Sequence, residues 1–438
     1  MTDTPDFSAP ATGDWLAPVA GGVVTANVSV PGSKSLTNRY LILAALAESE
    51  SFVRGWLRSR DTQLMVEALK ALGADIDEVD DSLRITPIDF SAHLDGPPIT
   101  IDCGLAGTVM RFIPPLAAAT GREVVLDGDE QARVRPMSVI IDALTRLGAS
   151  ITAEDNLLPM TIHAQSHLRG GHLAIDASAS SQFVSGMLLT APVMPLGIEL
   201  VNRGESVPSR AHVDMTLEVL ADAGVDVTEP EPERWIVEPG LPRGLDVQVE
   251  PDLSNAAAFV AAALATNGDV TVLDWPAHTT QAGDGFRAIA EAFGATVTLD
   301  RNGLRVRGPE VLRAVDLDLS AVGELTPVVA ALAALADGTS NLTGIGHLRG
   351  HETDRLSALR RELGAVGVDV DEHSTALTIT GSRLRSGTWH TYNDHRMVMA
   401  GAILGLNVDG LVIENADTVA KTLPEFTQLW EAMLNRGV

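Results

Sequence analysis

EALKALGADIDEV, residues 67–79, decides the reading of the fold: an amphipathic helix pattern runs into Gly73 and an alternating strand pattern follows at once. A glycine at that point takes the left-handed conformation that closes a helix. The same arrangement returns as DALTRLGASITAE (142–154), EVLADAGVDVTE (218–229), AEAFGATVTL (290–299), RRELGAVGVDV (360–370) and WEAMLNRGV (430–438). The closing glycines fall at Gly73, Gly148, Gly224, Gly294, Gly364 and Gly437, 70 to 76 residues apart. An interval of that length holds about two helices and three or four strands. The chain therefore reads as six copies of a small α/β module, divided into two lobes of three. The acidic, proline-containing stretch GLDVQVEPDLSNAAAF (244–259) marks the junction before a new helix.

Composition narrows the function. With 438 residues, 45% hydrophobic and 20% charged, the chain is too long for one ordinary core and belongs to the globular class. Its net charge of −27 repels nucleic acid and anionic membrane surfaces, so a bound anion must meet a local basic pocket. Only Lys34, Lys70 and Lys421 among the 31 basic residues are lysines. A lone cysteine, Cys103, makes no internal disulfide, and the polar opening MTDTPDFSAPATGDW has no signal-peptide pattern, which points to the cytoplasm. The apolar run VVAALAALA (328–336) is too short to span a bilayer and reads as a buried helix.

Eight strings place polar and charged residues at expected helix starts. In VSVPGSKSLTNRYLILAAL (28–46), Lys34, Ser35 and Arg39 occupy a strand-to-helix turn, where free N–H groups and the positive end of the helix favour an anion; Ser35 is the expected cap. The glycine spacing of a phosphate-binding P-loop is missing. DCGLAGTVMRFIPPL (102–116) sets Gly104, Gly107 and Thr108 before Arg111, small residues that let a ligand approach the backbone. DGDEQARVRPMSVIIDAL (127–144) offers Arg133 and Arg135 before Pro136, while SASSQFVSGMLL (178–189) opens a helix with Ser180, Ser181 and Gln182. SVPSRAHVDMT (206–216) adds Ser209 and Arg210 in the same style. GHLRGHETDRLSALRREL (346–363) crowds His351, Glu352, Thr353, Asp354 and Arg355 at a helix start; Gly350 breaks the helix that a metal pair of His347 and His351 would need. TYNDHRMVMAGAIL (391–404) supplies Asn393, Asp394, His395 and Arg396, and VAKTLPEFTQLW (419–430) supplies Lys421. Two of the three lysines thus lie in these strings, where a compact or titratable ammonium does what a guanidinium cannot.

Taken in order, PGSKSLTNR, GLAGTVMR, RVRP, SSQ, HETDRL, NDHRM and AKTLPEF resemble the motif set of the 5-enolpyruvylshikimate-3-phosphate synthase family, from about residue 22 to the end. The resemblance implies an α/β fold in two lobes, an inside-out α/β barrel in which each lobe holds three βαβαββ units. Residues 1–30 and 251–438 would form one lobe and 31–250 the other, with crossovers near 30 and 250. It implies transfer of the enolpyruvyl group of phosphoenolpyruvate to shikimate 3-phosphate, with no cofactor and no metal, by a monomer that needs neither nucleic acid nor membrane. Lys34, Ser35, Arg39, Ser180, Ser181, Gln182, Ser209, Glu324, His347 and His351 would meet shikimate 3-phosphate. Lys34, Gly107, Arg135, Gln182, Arg355, Arg396 and Lys421 would form the phosphoenolpyruvate pocket. Glu324 would take the 5-hydroxyl proton, with Lys34 and Glu352 exchanging the proton at C3. Glu324, His347 and His351 depart from the Asp, Asn and Lys usual at their positions, and Phe112 from a usual Pro. Ligands drawn from both lobes imply that binding draws the lobes together. Gly107 leaves the usual space where the family binds glyphosate.

Two rivals share these features. The sister family that acts on UDP-N-acetylglucosamine typically carries a reactive Cys in the loop before the R-P pair; here that loop reads DGDEQARVRP, and Cys103 lies earlier. A non-catalytic anion sensor would need phosphate ligands but not Lys34, Glu324 and Glu352.

Overall fold

The computed structural model describes residues 13–90, 96–164 and 168–435, and these fall into two compact units. A terminal unit takes the chain up to Val30, Leu253–Ala277 and everything from Gly283; a central unit takes Pro31–Asp252 and His278–Ala282. That last segment, expected with the terminal lobe, goes with the central unit because Thr279 Oγ1 and Gln281 Nε2 donate to the Glu250 carboxylate at 2.6 and 2.8 Å.

The middle sheet of the central unit shows how a module is built. Strand Ile99–Asp102 pairs in parallel with Val124–Asp127, which pairs antiparallel with Met160–Ile162, itself in a hairpin with Ile151–Ala153. A parallel pair needs a crossover, supplied by the helix Gly107–Thr120; the helix Ser138–Arg146 then leads to the hairpin. The result is a βαβαββ unit, and among the described residues five of the six sheets have this four-stranded form. The sixth joins Trp15–Leu16, Leu411–Ile413 and Gly387–Trp389 in three strands. Alternate burial along Ile99–Asp102 shows one face of the sheet packed and the other open to water.

Three helices fill the centre of each unit: Lys34–Leu46, Gly107–Thr120 and Ser181–Thr190 in the central one, Leu253–Ala265, Thr326–Leu335 and His395–Gly405 in the terminal one. LSNAAAFVAAALA (253–265) is apolar around its whole circumference, the pattern of a helix with no solvent face. Small residues bring these helices together: a Cβ on Gly186 would lie 2.3 Å from the backbone oxygen of Arg111. With helices inside and sheets outside, the architecture inverts the usual barrel. Amphipathic helices such as Arg60–Leu72 bury one face only.

Gly73, Gly148, Gly224 and Gly294 have φ of +112°, +110°, +73° and +102°, the left-handed closure expected of them. The fifth module differs. Its helix runs Arg355–Ala365 through Gly364, and the left-handed residue is Gly367 at φ +95°, because the extra Gly-Ala-Val lets the helix continue past the first glycine. Gly437 lies outside the described residues. Among the described residues, no helix is long and apolar enough to cross a membrane.

Candidate active site

In each unit the N-termini of the three inner helices gather at one place. In the central unit Asn38 Nδ2 donates to Thr108 Oγ1 at 2.7 Å, and a Cβ on Gly107 would lie 2.9 Å from Gln182 Oε1. In the terminal unit Arg396 Nη1 donates to the Ser254 carbonyl at 2.9 Å, and its Nε lies 3.4 Å from Glu324 Oε2, just ahead of the helix Thr326–Leu335. Three positive helix ends in one place make an anion-binding environment on an acidic protein.

The central unit presents Lys34 on the first residue of its helix. Ser33, not Ser35, is the cap: its side chain accepts from Leu36 N, and Ser35 is the second residue of the helix. Lys34 Nζ lies 3.2 Å from Asp61, a carboxylate 2% exposed at the start of the next helix. Arg39 is deeply placed: Nε donates to Thr216 Oγ1 at 2.8 Å, Nη1 to the Ser35 carbonyl at 3.0 Å, and Nη2 to Ser185 Oγ and the His212 carbonyl at 3.2 and 2.9 Å. Burial lowers its pKa to about 9. Beneath it lies the Phe112 ring, 5.3 Å from ring centre to guanidinium carbon, so the unusual Phe provides a cation–π floor for a buried arginine. Ser180 caps its helix, accepting from Gln182 N at 3.2 Å, and Ser181 is buried behind it. Ser209 sits before the helix Arg210–Asp222 at φ +52° with its hydroxyl uninvolved in capping. Arg135 reaches the Gly107 end, where a Cβ would come within 3.2 Å of its Nη2. Cys103 is wholly buried; burial, with Asp102 nearby, pushes its thiol up to about 12, so it stays protonated.

The terminal unit assembles the charged string. Arg355, 1% exposed, is held by Asp394 through Nε at 2.8 Å and Nη2 at 3.2 Å. Burial opposes its charge, but Asp394 and Glu324 outweigh this and raise its pKa. Glu324 Oε2 lies 3.6 Å from Arg355 Nη1 as well as close to Arg396, and its Oε1 lies 4.0 Å from His351 Nδ1. Arg355 Nη1 also approaches His351 Nδ1 at 3.2 Å. A guanidinium only donates, so this ring nitrogen accepts and the proton of the neutral ring sits on Nε2. Burial first, then the Arg355 charge, lowers the His351 pKa to about 4. His347 stacks edge-on to it at 5.8 Å, its own pKa lowered by burial. Glu352 takes Lys421 on Oε1 at 2.7 Å and His395 Nδ1 on Oε2 at 3.1 Å. Burial alone would raise the Glu352 pKa; His395 and Lys421 overcome it and hold the carboxyl well below the usual range.

All the sequence-predicted residues of the terminal unit thus come together: Glu324, His347, His351, Glu352, Arg355, Arg396 and Lys421. The sequence reading assigned no role to Asp61, Asp394 or His395, which hold Lys34, Arg355 and Glu352 in place. Glu352, Asp394 and His395 offer ligand atoms within 4.8 Å of one another, but Lys421 and Arg355 already pair with the two carboxylates, so a dication there would face two cations.

A family model described as EPSP synthase (3-phosphoshikimate 1-carboxyvinyltransferase) matches residues 19–430. The chain is 52% identical over 431 residues to a 3-phosphoshikimate 1-carboxyvinyltransferase from Kocuria rhizophila, covering 96% of both proteins. An EPSP synthase structure from Acinetobacter baumannii superposes with a TM-score of 0.82 at 25% identity, over 96% of this chain and 98% of that one. The enolpyruvyl transferase NikO from Streptomyces tendae shares the fold with a TM-score of 0.71 at 17% identity, over 96% of this chain and 97% of that one. The chain belongs to the EPSP synthase (3-phosphoshikimate 1-carboxyvinyltransferase) family.

Proposed function

We infer that Glu324, Lys34 and Glu352 move the protons as the 5-hydroxyl of shikimate 3-phosphate adds to C2 of phosphoenolpyruvate. The family's reaction, transfer of a 1-carboxyvinyl group to 3-phosphoshikimate, belongs to the shikimate pathway of aromatic amino acid biosynthesis, and the chain is an enzyme of that reaction. In the addition, the O5–C2 bond forms, the hydroxyl proton goes to Glu324 and C3 gains a proton. In the elimination, the bond from C2 to the phosphate oxygen breaks, C3 returns its proton, and phosphate leaves with the hydroxyl proton that Glu324 gives back. Neither step changes the electron count, so no redox partner enters the balance.

The observation that carries this reading is the setting of Glu324, a carboxylate flanked by Arg355 and Arg396 at 3.6 and 3.4 Å. The two guanidiniums, with Lys421, suit the phosphoenolpyruvate carboxylate, and Gly107, Arg135, Gln182 and Lys34 its phosphate. Ser180, Ser181, Ser209, Ser35, Arg39 and the two histidines suit shikimate 3-phosphate. Developing negative charge would meet fixed cations and helix ends rather than water. Glyphosate would occupy the phosphoenolpyruvate pocket beside Gly107. The same reading has the enzyme working as a cytoplasmic monomer.

Phosphate release tests it: shikimate 3-phosphate and phosphoenolpyruvate together should support turnover. Turnover with UDP-N-acetylglucosamine but not with shikimate 3-phosphate would overturn the assignment.

A further inference from the structure

Arg111 is a buried cation with no paired anion among the described residues. It lies on the inner helix Gly107–Thr120 of the central unit and is 3% exposed. Among the described residues it forms no ion pair: Nη2 donates to the Pro136 carbonyl at 3.1 Å, Nη1 rests on Met110 Sδ at 3.2 Å, and the buried Nε has no hydrogen-bond partner. The same Met110 sulfur lies 3.8 Å from Arg135 Nη1, so two guanidiniums share one soft, neutral neighbour. Cys103, the other titratable group near Arg111, supplies no anion, because burial keeps it a thiol.

Taking a cation out of water costs several kcal/mol unless an opposite charge arrives. Burial, and then repulsion from Arg135, lowers the Arg111 pKa well below its ordinary value. A guanidinium nonetheless keeps its proton near neutrality, so its counter-charge must come from outside the chain. The Arg135 guanidinium faces Gly107, whose missing side chain leaves the backbone bare there: a Cβ would lie 2.9 Å from Gln182 Oε1 and 3.2 Å from Arg135 Nη2. Arg111 also fixes the carbonyl of Pro136, the residue immediately after Arg135.

We propose that Arg111 is a supporting cation of the phosphoenolpyruvate pocket: it positions Arg135 through Pro136 and adds a second, desolvated positive charge behind it, whose counter-ion is the bound substrate's phosphate. The proposal rests on the assignment of that pocket to Arg135 and Gly107. Because Arg111 acts from behind, it contributes chiefly to ground-state binding of the anion.

The experiment compares Arg111→Met, Arg111→Lys and Arg135→Met in the full chain, reading the thermal midpoint with inorganic phosphate against chloride at equal ionic strength, and the KM for phosphoenolpyruvate. Arg111→Met should lose more than half of the phosphate-induced rise in midpoint and raise KM roughly ten- to fiftyfold, with kcat within about threefold, as expected for a charge lost several ångströms from the anion. Arg111→Lys, which keeps the charge and loses the fork that reaches Pro136, should restore KM to within about fivefold of the parent. If Arg111→Met keeps the full phosphate effect while Arg135→Met loses it, the pocket stands and the proposal falls. Arg111→Lys as impaired as Arg111→Met also overturns it, leaving only the Pro136 hydrogen bond. If none of the three changes KM, the pocket itself is misassigned.

Discussion

Replacing His351 with Gln removes a titrating ring and keeps a side-chain N–H donor, which makes it a direct test of the charge state at the centre of the terminal cluster. The groups facing the ring are Arg355, Glu324, His347 and Asp394, with Arg355 nearest. With a pKa of about 4 in the folded protein against about 6.5 in the unfolded chain, the unfolded state binds the proton first as pH falls. The neutral ring therefore contributes stability that is fully present above pH 6.5 and lost as pH drops toward 4. Integrating the two titrations gives a loss of about 1.4 kcal/mol at pH 5.5 and about 2.6 kcal/mol at pH 4.5. His347 and His395, whose pKa values are also lowered by burial, add losses of the same sign, but in both proteins alike. Denaturant midpoints of parent and His351→Gln at pH 7.5, 6.5, 5.5 and 4.5 should diverge by those amounts, the parent losing more. His351→Ala should raise the KM for shikimate 3-phosphate more than it lowers kcat, because a neutral donor gives binding without charge. Parallel stability curves for parent and His351→Gln from pH 7.5 to 4.5 would refute the buried neutral ring.

Glu324→Gln keeps the shape and removes the base, so kcat should fall by roughly two to four orders of magnitude with KM values within a few-fold; a turnover within about threefold of the parent would move the base elsewhere, with Lys34 next in line. Gly107→Ala places a methyl 2.9 Å from Gln182 and 3.2 Å from Arg135, and the KM for phosphoenolpyruvate should rise more than the KM for shikimate 3-phosphate in a steady-state assay. Phe112→Leu keeps an apolar side chain of smaller volume and removes the ring under Arg39, and should lower stability by about 1 to 2 kcal/mol in urea titrations, with an unchanged midpoint counting against the cation–π floor.

What was legible in the sequence follows from periodicity and helix starts. The closing glycines, the apolar inner helices and the polar strings at their N-termini each repeat a local pattern with a local cause. The cap falls on Ser33 rather than on the expected Ser35 because both hydroxyls lie within one turn and only backbone direction chooses between them. Asp61 reads as an ordinary acidic first turn of the helix Arg60–Leu72; its pairing with Lys34, 27 residues away, exists only after two helices pack. The same holds for Arg39 over Phe112, 73 residues apart, and for Asp394 on Arg355, 39 apart. Arg111 was visible as a basic residue, but a charge without a partner becomes apparent only when its surroundings are known.

The interleaving of the two units carries a consequence for synthesis. Strand Thr25–Val28 emerges from the ribosome early, yet its parallel partner Asp269–Leu273 lies some 240 residues later. At roughly 5–20 residues per second, that strand waits on the order of 10 to 50 s without its sheet. Meanwhile Pro31–Asp252 completes its own three sheets, closed when Asp246–Gln248 pairs with Ser51–Arg54. The three sheets of the central unit can thus form on the nascent chain, with its segment His278–Ala282 still to come, while the terminal unit holds an unpaired edge, TANV, alternating exposed and buried positions. A trigger-type chaperone or a vacant strand edge of a neighbouring polysome would find its substrate there, and slowing translation beyond residue 252 should lengthen the exposure of the N-terminal strand without disturbing the central unit.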